Sequence, residues 1–196
     1  FCIWRIYNYC LCKKKYDRMK IHRIIEGTYV NGPGFRLGVW VQGCIRNCPG
    51  CFNKDACEAT GGFYMSVMEI LELLKNQKYD GISISGGEPF NQKSELKELL
   101  KEVKKMGLGT LVFTGFTYEE ICNTEAIKYC DYLIDGPFIK EIPPVCKYTG
   151  SGNQRFLKLK NGKIAEDLTL QYKGVNETEI IIQEDGSVLI TGFSEI

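Results

Sequence analysis

The chain has 196 residues, of which 44% are hydrophobic and 25% are charged, and this composition suits one globular domain with its own core. Its net charge of +1 and its lack of an apolar stretch near the ~20 residues of a membrane span argue against nucleic acid and membranes as partners. Ten cysteines without a convincing signal peptide favour a reducing cytoplasm and metal binding over a disulfide framework.

The N-terminal stretch is irregular, and a regular pattern begins only at Met19. Residues 1–18 contain aromatic residues and cysteines but lack the apolar stretch and cleavage site of a signal peptide. We therefore expect residues 1–18 to be an extra N-terminal segment, non-native or disordered. We expect residues 19–196 to form a single domain.

Strands and helices alternate along most of the chain. Short β-rich runs predict strands at 36–42, 81–85, 111–114 and 132–134. Helices are predicted from the capping box at Ser66 through about residue 77, around Leu96–Val103 by helical spacing, and after Thr117. Strand, glycine turn and helix thus recur three times, which indicates a parallel sheet with crossover helices. Near the end of the chain, 178–183 and 187–191 flank Asp185-Gly186, a hairpin signal.

Three cysteines follow the first predicted parallel strand in the run Cys44-x3-Cys48-x2-Cys51. Thiolates are soft ligands that suit zinc or iron–sulfur centres. A cubane cluster has four irons and is normally held by four thiolates, so three cysteines leave one iron open to a substrate or cofactor. This odd number indicates a reactive cluster. Zinc would need a fourth ligand, for which Cys57 is the nearest cysteine.

A second motif, Ser85-Gly86-Gly87-Glu88-Pro89, follows the next strand. Two glycines allow close approach of the backbone to a ligand, and the carboxylate after them can receive an ammonium group. Thr114 and Gly115 sit at the end of the following strand. Working groups of such folds lie on loops at the carboxyl ends of strands, so these residues are expected to share one pocket with the cysteines.

Together these motifs resemble the radical S-adenosylmethionine superfamily, and within it the activating proteins of anaerobic ribonucleotide reductases. The matching pieces occur in the expected order across residues 19–160. They are 31–36 (Asn-Gly-Pro-Gly-Phe-Arg), 42–44, 48–53, 85–90, 114–117, 135–138 (Asp-Gly-Pro-Phe) and 152–155 (Gly-Asn-Gln-Arg). Residue 50 is Gly where much of the superfamily has an aromatic, a departure that the activating proteins share, and Phe52 follows the third cysteine.

The resemblance implies an α/β fold, a partial (β/α) barrel of the radical S-adenosylmethionine type, with a C-terminal β-hairpin. It implies a [4Fe-4S] cluster bound by Cys44, Cys48 and Cys51, with S-adenosylmethionine as the second cofactor. The cofactor-binding residues implied are Phe52, Asn53, Ser85, Gly86, Gly87, Glu88, Thr114 and Gly115. Glu88 and the Gly86–Gly87 backbone would hold the methionine ammonium, and Phe52 and Asn53 would lie near the adenosyl part. No catalytic residue beyond the cluster and cofactor is expected, and His22, the only histidine, precedes the motifs.

The implied activity is reductive cleavage of S-adenosylmethionine, followed by formation of a glycyl radical on a partner anaerobic ribonucleotide reductase. The partners expected are that glycyl radical enzyme and an electron donor such as flavodoxin or ferredoxin. One alternative is a radical enzyme that modifies another peptide or a small molecule. Another is a non-enzymatic iron–sulfur electron carrier or zinc-binding module, which needs a fourth thiolate. A second cluster bound by Cys57, Cys130 and Cys146 is a further hypothesis.

Overall fold

The computed structural model describes residues 18–182 and 185–193. Residues 1–17, which carry nearly all of the proposed extra N-terminal segment, lie outside this range. The first strand begins at Arg18. In the described ranges, no helix is both long enough and apolar enough to cross a bilayer.

One mixed sheet of eight strands forms the centre of the fold, in the order β3-β1-β2-β4-β5-β6-β7-β8. The strands are β1 (Arg18–Thr28), β2 (Arg36–Val41), β3 (Phe63–Ser66), β4 (Gly81–Gly86), β5 (Gly109–Phe113), β6 (Tyr132–Asp135), β7 (Arg155–Lys160) and β8 (Lys163–Asp167). The pairings β2–β4, β4–β5 and β5–β6 are parallel, and the outer pairings are antiparallel. The predicted parallel core is therefore present inside an open α/β sheet. The partial barrel implied by the resemblance stays a prediction.

Helices connect the parallel strands. They are α1 (Lys54–Cys57), α2 (Val67–Leu73), α3 (Lys93–Lys105) and α4 (Tyr118–Ile121), with short 3-10 turns at Pro89–Gln92 and Ala126–Tyr129. The predicted capping box at Ser66 is formed, and a capping box is also present at Thr117, where a helix was predicted to begin. Helix α2 ends at Leu73, four residues before the predicted end near residue 77. The reason is that residues 75–78 are all exposed and supply no apolar face to pack.

The core lies on both faces of the sheet. Helix α3 buries the four residues that the helical spacing singled out, Leu96, Leu99, Leu100 and Val103. Strand alternation sends Val112 to this larger cluster and Leu111 to a smaller one on the other face. The hypothesis of a second iron–sulfur cluster is wrong, because its three cysteines lie apart. Cys130 belongs to the larger hydrophobic cluster, Cys146 to the smaller one on the other face of the sheet, and Cys57 to neither. Cys130 instead serves as a small core residue.

The C-terminal hairpin is formed as predicted, by β9 (Thr178–Ile182) and β10 (Val188–Gly192). It is a separate two-stranded sheet with no ladder to the eight-stranded one in the part of the chain that the structure describes. Side-chain contacts attach it: Asn31 Nδ2 donates to Thr191 Oγ1 at 2.7 Å, and the Tyr29 amide donates to Glu179 Oε1 at 2.9 Å.

Arg36 joins the amino ends of the parallel strands. Its guanidinium is buried and donates to Ser83 Oγ (2.7 Å) and to the carbonyl oxygens of Pro33, Ile82 and Gly109 (3.0, 2.7 and 3.1 Å). Burial lowers the pKa of Arg36 to about 10. The Asn31–Arg36 motif is thus a fixing point of the sheet at the end away from the cysteine loop.

Candidate active site

A pocket of about 100 Å³ opens at the carboxyl ends of β2, β4 and β5. Every residue that the sequence assigned to the cluster or the cofactor lines it: Cys44, Cys48, Cys51, Phe52, Asn53, Ser85, Gly86, Gly87, Glu88, Thr114 and Gly115. The structure therefore brings the separate motifs together in one place. Seven further lining residues were not assigned by sequence reasoning: Arg46, Cys57, Phe113, Phe138, Gly150, Gln154 and Phe193.

Backbone hydrogen bonds hold the cysteine loop in place. The amides of Gly43 and Cys44 donate to the carbonyls of Ala56 and Cys57 at 2.7 and 3.0 Å, which ties the start of the loop to α1. Within it, the Arg46 amide donates to Cys44 Sγ at 3.4 Å, and Gly50 adopts a φ of 71°, a left-handed conformation that suits glycine. The loop is consequently positioned by its own backbone and by that of α1.

Gln42 anchors the segment that follows the cysteine loop. Its Nε2 donates to the carbonyls of Asp55, Glu58 and Thr60 at 2.9, 2.9 and 3.0 Å. Its Oε1 lies 2.9 Å from His22 Nδ1. His22 is therefore a neighbour of this anchor, and it is not among the residues that line the pocket.

Cys57 lies in the pocket beside the three predicted ligands. Its Sγ is 3.8 Å from Cys51 Sγ. Burial, and then the nearby Cys51 and Cys44 thiols, raise the pKa of the Cys57 thiol. The signal available in the sequence was a fourth cysteine six residues after Cys51, which the zinc hypothesis used and the cluster assignment did not.

The two glycines of the second motif are required by chain packing. A Cβ at Gly87 would lie 2.3 Å from the Gly43 carbonyl oxygen, and a Cβ at Gly86 would lie 2.5 Å from the backbone of Val41. The amides of Gly87 and Glu88 donate to the Val41 and Gly43 carbonyls at 2.8 and 2.9 Å. The glycines thus let the loop after β4 press against the loop after β2, and both loops face the pocket.

Glu88 is fully buried and links the ends of two strands. Its Oε1 accepts from the Phe90 amide (2.9 Å) and Thr114 Oγ1 (2.8 Å), and its Oε2 accepts from the Gly115 amide (2.9 Å). Desolvation nevertheless raises the pKa of the Glu88 carboxyl, and the three donors oppose that rise. This carboxylate therefore fixes Thr114 and Gly115 in the pocket wall.

Arg46 adds a positive charge to the pocket. Its Nη1 lies 3.1 Å from Glu120 Oε1, and its guanidinium carbon is 4.7 Å from the ring centre of Phe116. The same charge favours the ionised form of Glu88. No motif marked Arg46, because its place depends on the loop packing against the turn after β5.

Four phenylalanines form one side of the pocket, and we call them the aromatic wall: Phe52, Phe113, Phe138 and Phe193. Ring centres of Phe52 and Phe138 are 4.6 Å apart. The ring centre of Phe193 lies 6.0 Å from that of Phe52 and 6.1 Å from that of Phe113. These separations are typical of packed aromatic rings.

The motifs at 135–138 and 152–155 interlock behind this wall. Gln154 Nε2 donates to the Gly136 carbonyl at 2.9 Å, and its Oε1 accepts from the Gly150 amide at 2.8 Å. Asn153 Nδ2 donates to the Pro137 carbonyl at 2.7 Å. The sequence identified both motifs but gave no sign that side chains of the second satisfy backbone carbonyls of the first, next to Phe138.

The donor chemistry of the pocket fits an iron–sulfur cluster. Its thiols are the soft ligands that such clusters use, and a cubane distributes them over separate irons. Among the residues described, no group of three or more His, Cys, Asp or Glu side chains is placed to hold a single metal ion. Which cysteines bind the cluster remains a prediction.

Comparisons with known proteins agree with this chemistry. Residues 30–157 match the family model described as "4Fe-4S single cluster domain". The anaerobic ribonucleoside-triphosphate reductase-activating protein of Enterobacteria phage T4 is 32% identical over 74% of this chain and 97% of its own length. Its Escherichia coli K12 counterpart is 32% identical over 69% of this chain and 96% of its length. The pyruvate formate-lyase-activating enzyme of Clostridium pasteurianum is 33% identical over 70% of this chain and 60% of its length.

Among solved structures, QueE from Escherichia coli aligns with 55% of this chain and 56% of its own at 19% identity and a TM-score of 0.44, a likeness too low to support an argument. The family model covers more than half of the chain, and both reductase-activating proteins match it over nearly their whole length. The chain belongs to the 4Fe-4S single-cluster family of radical S-adenosylmethionine activating enzymes.

Proposed function

We propose that this protein cleaves S-adenosylmethionine reductively at a [4Fe-4S] cluster and generates a glycyl radical on a partner anaerobic ribonucleotide reductase. One observation supports this above the others. The three cysteines of the loop, the Gly86-Gly87-Glu88 turn and the Thr114-Gly115 turn line a single pocket at the carboxyl ends of the parallel strands.

In this proposal, Cys44, Cys48 and Cys51 would hold the [4Fe-4S] cluster, and the iron without a cysteine would be open to the cofactor. The bound cluster and S-adenosylmethionine would together supply one-electron radical chemistry able to take a hydrogen atom from a glycine α-carbon of the partner. The Gly86–Gly87 backbone and Glu88 hold the methionine ammonium. Because the Glu88 carboxylate already has three protein donors, its main effect is to fix the turns around that ammonium.

The remaining residues hold and shield the cofactor. Phe52 and Asn53 would lie near the adenosyl part of the cofactor, and Ser85, Thr114 and Gly115 line the same pocket at the strand ends. The aromatic wall keeps water away from a radical, which would otherwise be lost to side reactions. Hydrogen abstraction by a carbon radical needs no enzyme base, so the design requires no acid–base pair.

The partner assignment rests on the names of the relatives, which activate anaerobic ribonucleotide reductase or, for the clostridial enzyme, pyruvate formate-lyase. A flavodoxin or ferredoxin would supply the electron. The described cysteines are all free thiols, and we place the protein in a reducing cytoplasm, where such thiols and a cluster persist.

The test is anaerobic reconstitution followed by measurement of iron, sulfide and 5′-deoxyadenosine. We expect four irons per chain, cofactor cleavage after reduction, and a glycyl radical signal in electron paramagnetic resonance when the reductase is added. Cys48→Ala should lose the four-iron cluster, while Cys122→Ala, outside the pocket, should keep it. A cluster that forms and cleaves the cofactor in Cys48→Ala would contradict the ligand assignment.

A second candidate, a four-thiolate electron carrier, is favoured by the place of Cys57, 3.8 Å from Cys51. The two candidates differ in what Cys57→Ala does. The activase retains its four irons and its cleavage activity in this variant. The carrier loses its cluster in this variant, and neither the parent protein nor the variant produces 5′-deoxyadenosine.

A further inference from the structure

We propose that the C-terminal residues 176–182 and 185–193 complete the cofactor pocket, and that Phe193 packs against the aromatic base of the cofactor. This inference rests on the proposed function, since it takes S-adenosylmethionine as the ligand. The pocket includes a residue beyond the part of the chain that the family model matches. The family model ends at residue 157, whereas Phe193 lines the same pocket as the cysteines.

The position of the hairpin depends on its contacts with the rest of the domain. A two-stranded sheet alone is marginal in water, and most of the side chains of β9 and β10 are partly or fully exposed. Its attachment is therefore made by specific contacts with the domain. The buried pair of Asn31 and Thr191 fixes β10, and the Tyr29 amide fixes Glu179 on β9.

The stretch before the hairpin is attached to the pocket from the other side. Asn176 Oδ1 accepts from the Tyr148 amide, and its Nδ2 donates to the Thr149 carbonyl, both at 2.8 Å. The next residue, Gly150, lines the pocket and lies against Phe52. The segment thus holds one pocket loop at its beginning and supplies a pocket residue at its end.

Gly192 directs the chain from the hairpin into the pocket. It has a φ of +107°, and a Cβ there would lie 2.3 Å from the Glu177 carbonyl oxygen. Only glycine fits this turn without strain. The residue after the turn, Phe193, reaches Phe52 and Phe113, so its ring closes the aromatic wall.

A wall of phenyl rings is suited to one part of the proposed cofactor. The methionine part is charged and belongs with the cluster and the glycine turn, whereas adenine is a flat aromatic base. Stacking or packing of such a base on aromatic side chains is a general source of affinity. Phe193 is accordingly a binding residue for the adenine, and Thr191 is a positioning residue that acts through it.

The experiment uses the reconstituted full chain and compares Phe193→Ala, Phe193→Leu and Thr191→Val with Ile182→Ala, an exposed deletion in the same hairpin. The probes are S-adenosylmethionine and 5′-deoxyadenosine, which carry adenine, and methionine, which does not. We expect Phe193→Ala to weaken binding of both adenine probes roughly ten-fold, with methionine binding and iron content unchanged. Phe193→Leu and Thr191→Val should show smaller losses of the same pattern, and Ile182→Ala none.

Two outcomes would overturn the inference alone. In one, Phe193→Ala binds all three probes like the parent protein. In the other, it loses iron and all three probes together while Phe193→Leu binds normally, which would mean a purely structural role. A parent protein that holds its cluster but neither binds nor cleaves S-adenosylmethionine would overturn the proposed function as well. Measuring the parent first separates these failures.

Discussion

The two ends of strand β4 each bury one charged side chain, and they use it differently. At the amino end, Arg36 donates to a hydroxyl and three carbonyl oxygens. At the carboxyl end, Glu88 accepts from two amides and a hydroxyl. In both cases burial shifts the pKa toward the neutral form, down for Arg36 and up for Glu88.

The difference lies in what surrounds each charge. Arg36 is enclosed by strand starts and turns, and it lies outside the lining of the pocket, whereas Glu88 faces it. A buried charge with all partners supplied by the protein serves stability, and one at the edge of a cavity can also serve a ligand. The two ends therefore predict different results for matched substitutions, with stability alone at one end and stability plus binding at the other.

The largest effect is expected for Arg36→Met. It removes every donor that Arg36 directs at the oxygen atoms of Ser83, Pro33, Ile82 and Gly109, and this loss of charged hydrogen bonds should cost about 4 kcal/mol in the free energy of unfolding. Urea denaturation of the apo protein measures this. Arg36→Lys should recover only part of the loss, because an ammonium cannot reproduce the guanidinium geometry. A denaturation midpoint unchanged in Arg36→Met would show that this end of the sheet does not depend on the charge.

A matched pair of glycines gives the next largest effect. A Cβ at Gly81 would lie 2.1 Å from the Gly109 carbonyl oxygen, and one at Gly87 would lie 2.3 Å from that of Gly43. Each alanine substitution should cost about 3 kcal/mol, since neither backbone can move freely. Only Gly87→Ala should also weaken S-adenosylmethionine binding in the folded fraction.

Gly107→Ala serves as a control for this pair, because its Cβ would meet nothing within 4 Å. It carries only the penalty of its φ of 77°. Equal losses of cofactor affinity in Gly81→Ala and Gly87→Ala would mean that the two ends of the strand are not separate in function.

The sequence made the carboxyl end largely predictable because its motifs are local. A cysteine loop follows β2, a glycine turn follows β4 and a threonine-glycine turn follows β5, and parallel pairing alone brings such strand ends together. The same reasoning explains why the α3 face and the helix starts at Ser66 and Thr117 were predicted. These features depend on residues a few positions apart.

Contacts between distant segments were not predictable. Phe193 reaches the pocket through contacts such as that of Asn31 with Thr191, 160 residues away in sequence. Arg46 joins the pocket because the cysteine loop packs against the turn after β5, and α2 ends early because its last residues have nothing to pack on. Neither periodicity nor motif spacing contains that information.

A smaller effect is expected for Glu88→Gln. The amide keeps one acceptor but places an N–H group against the donors from Phe90, Thr114 or Gly115, so we expect a loss of about 2 kcal/mol in stability. Binding of S-adenosylmethionine should weaken as well, because Thr114 and Gly115 line the pocket. Calorimetric titration of the reconstituted variant tests the second effect, with Glu95→Gln on α3 as the control. Unaltered affinity would limit Glu88 to a structural role, like that of Arg36.

The smallest effect is on the pH dependence of stability. The raised pKa of Glu88 means that the folded state binds more protons than the unfolded state between the ordinary value of 4.5 and the raised one. The contribution of Glu88 to the unfolding free energy therefore falls as pH rises through this interval, by about 1.4 kcal/mol for each pH unit that separates the two values, and is level above it. Urea titrations of apo parent and Glu88→Gln from about pH 4 to about pH 8 isolate this contribution as their difference. Arg36 should add no slope in that range, since its lowered pKa of about 10 lies above it. A difference between the two proteins that stays constant with pH would mean that the three donors fully offset the burial of Glu88, and the two ends of β4 would then differ in electrostatics as well as in surroundings.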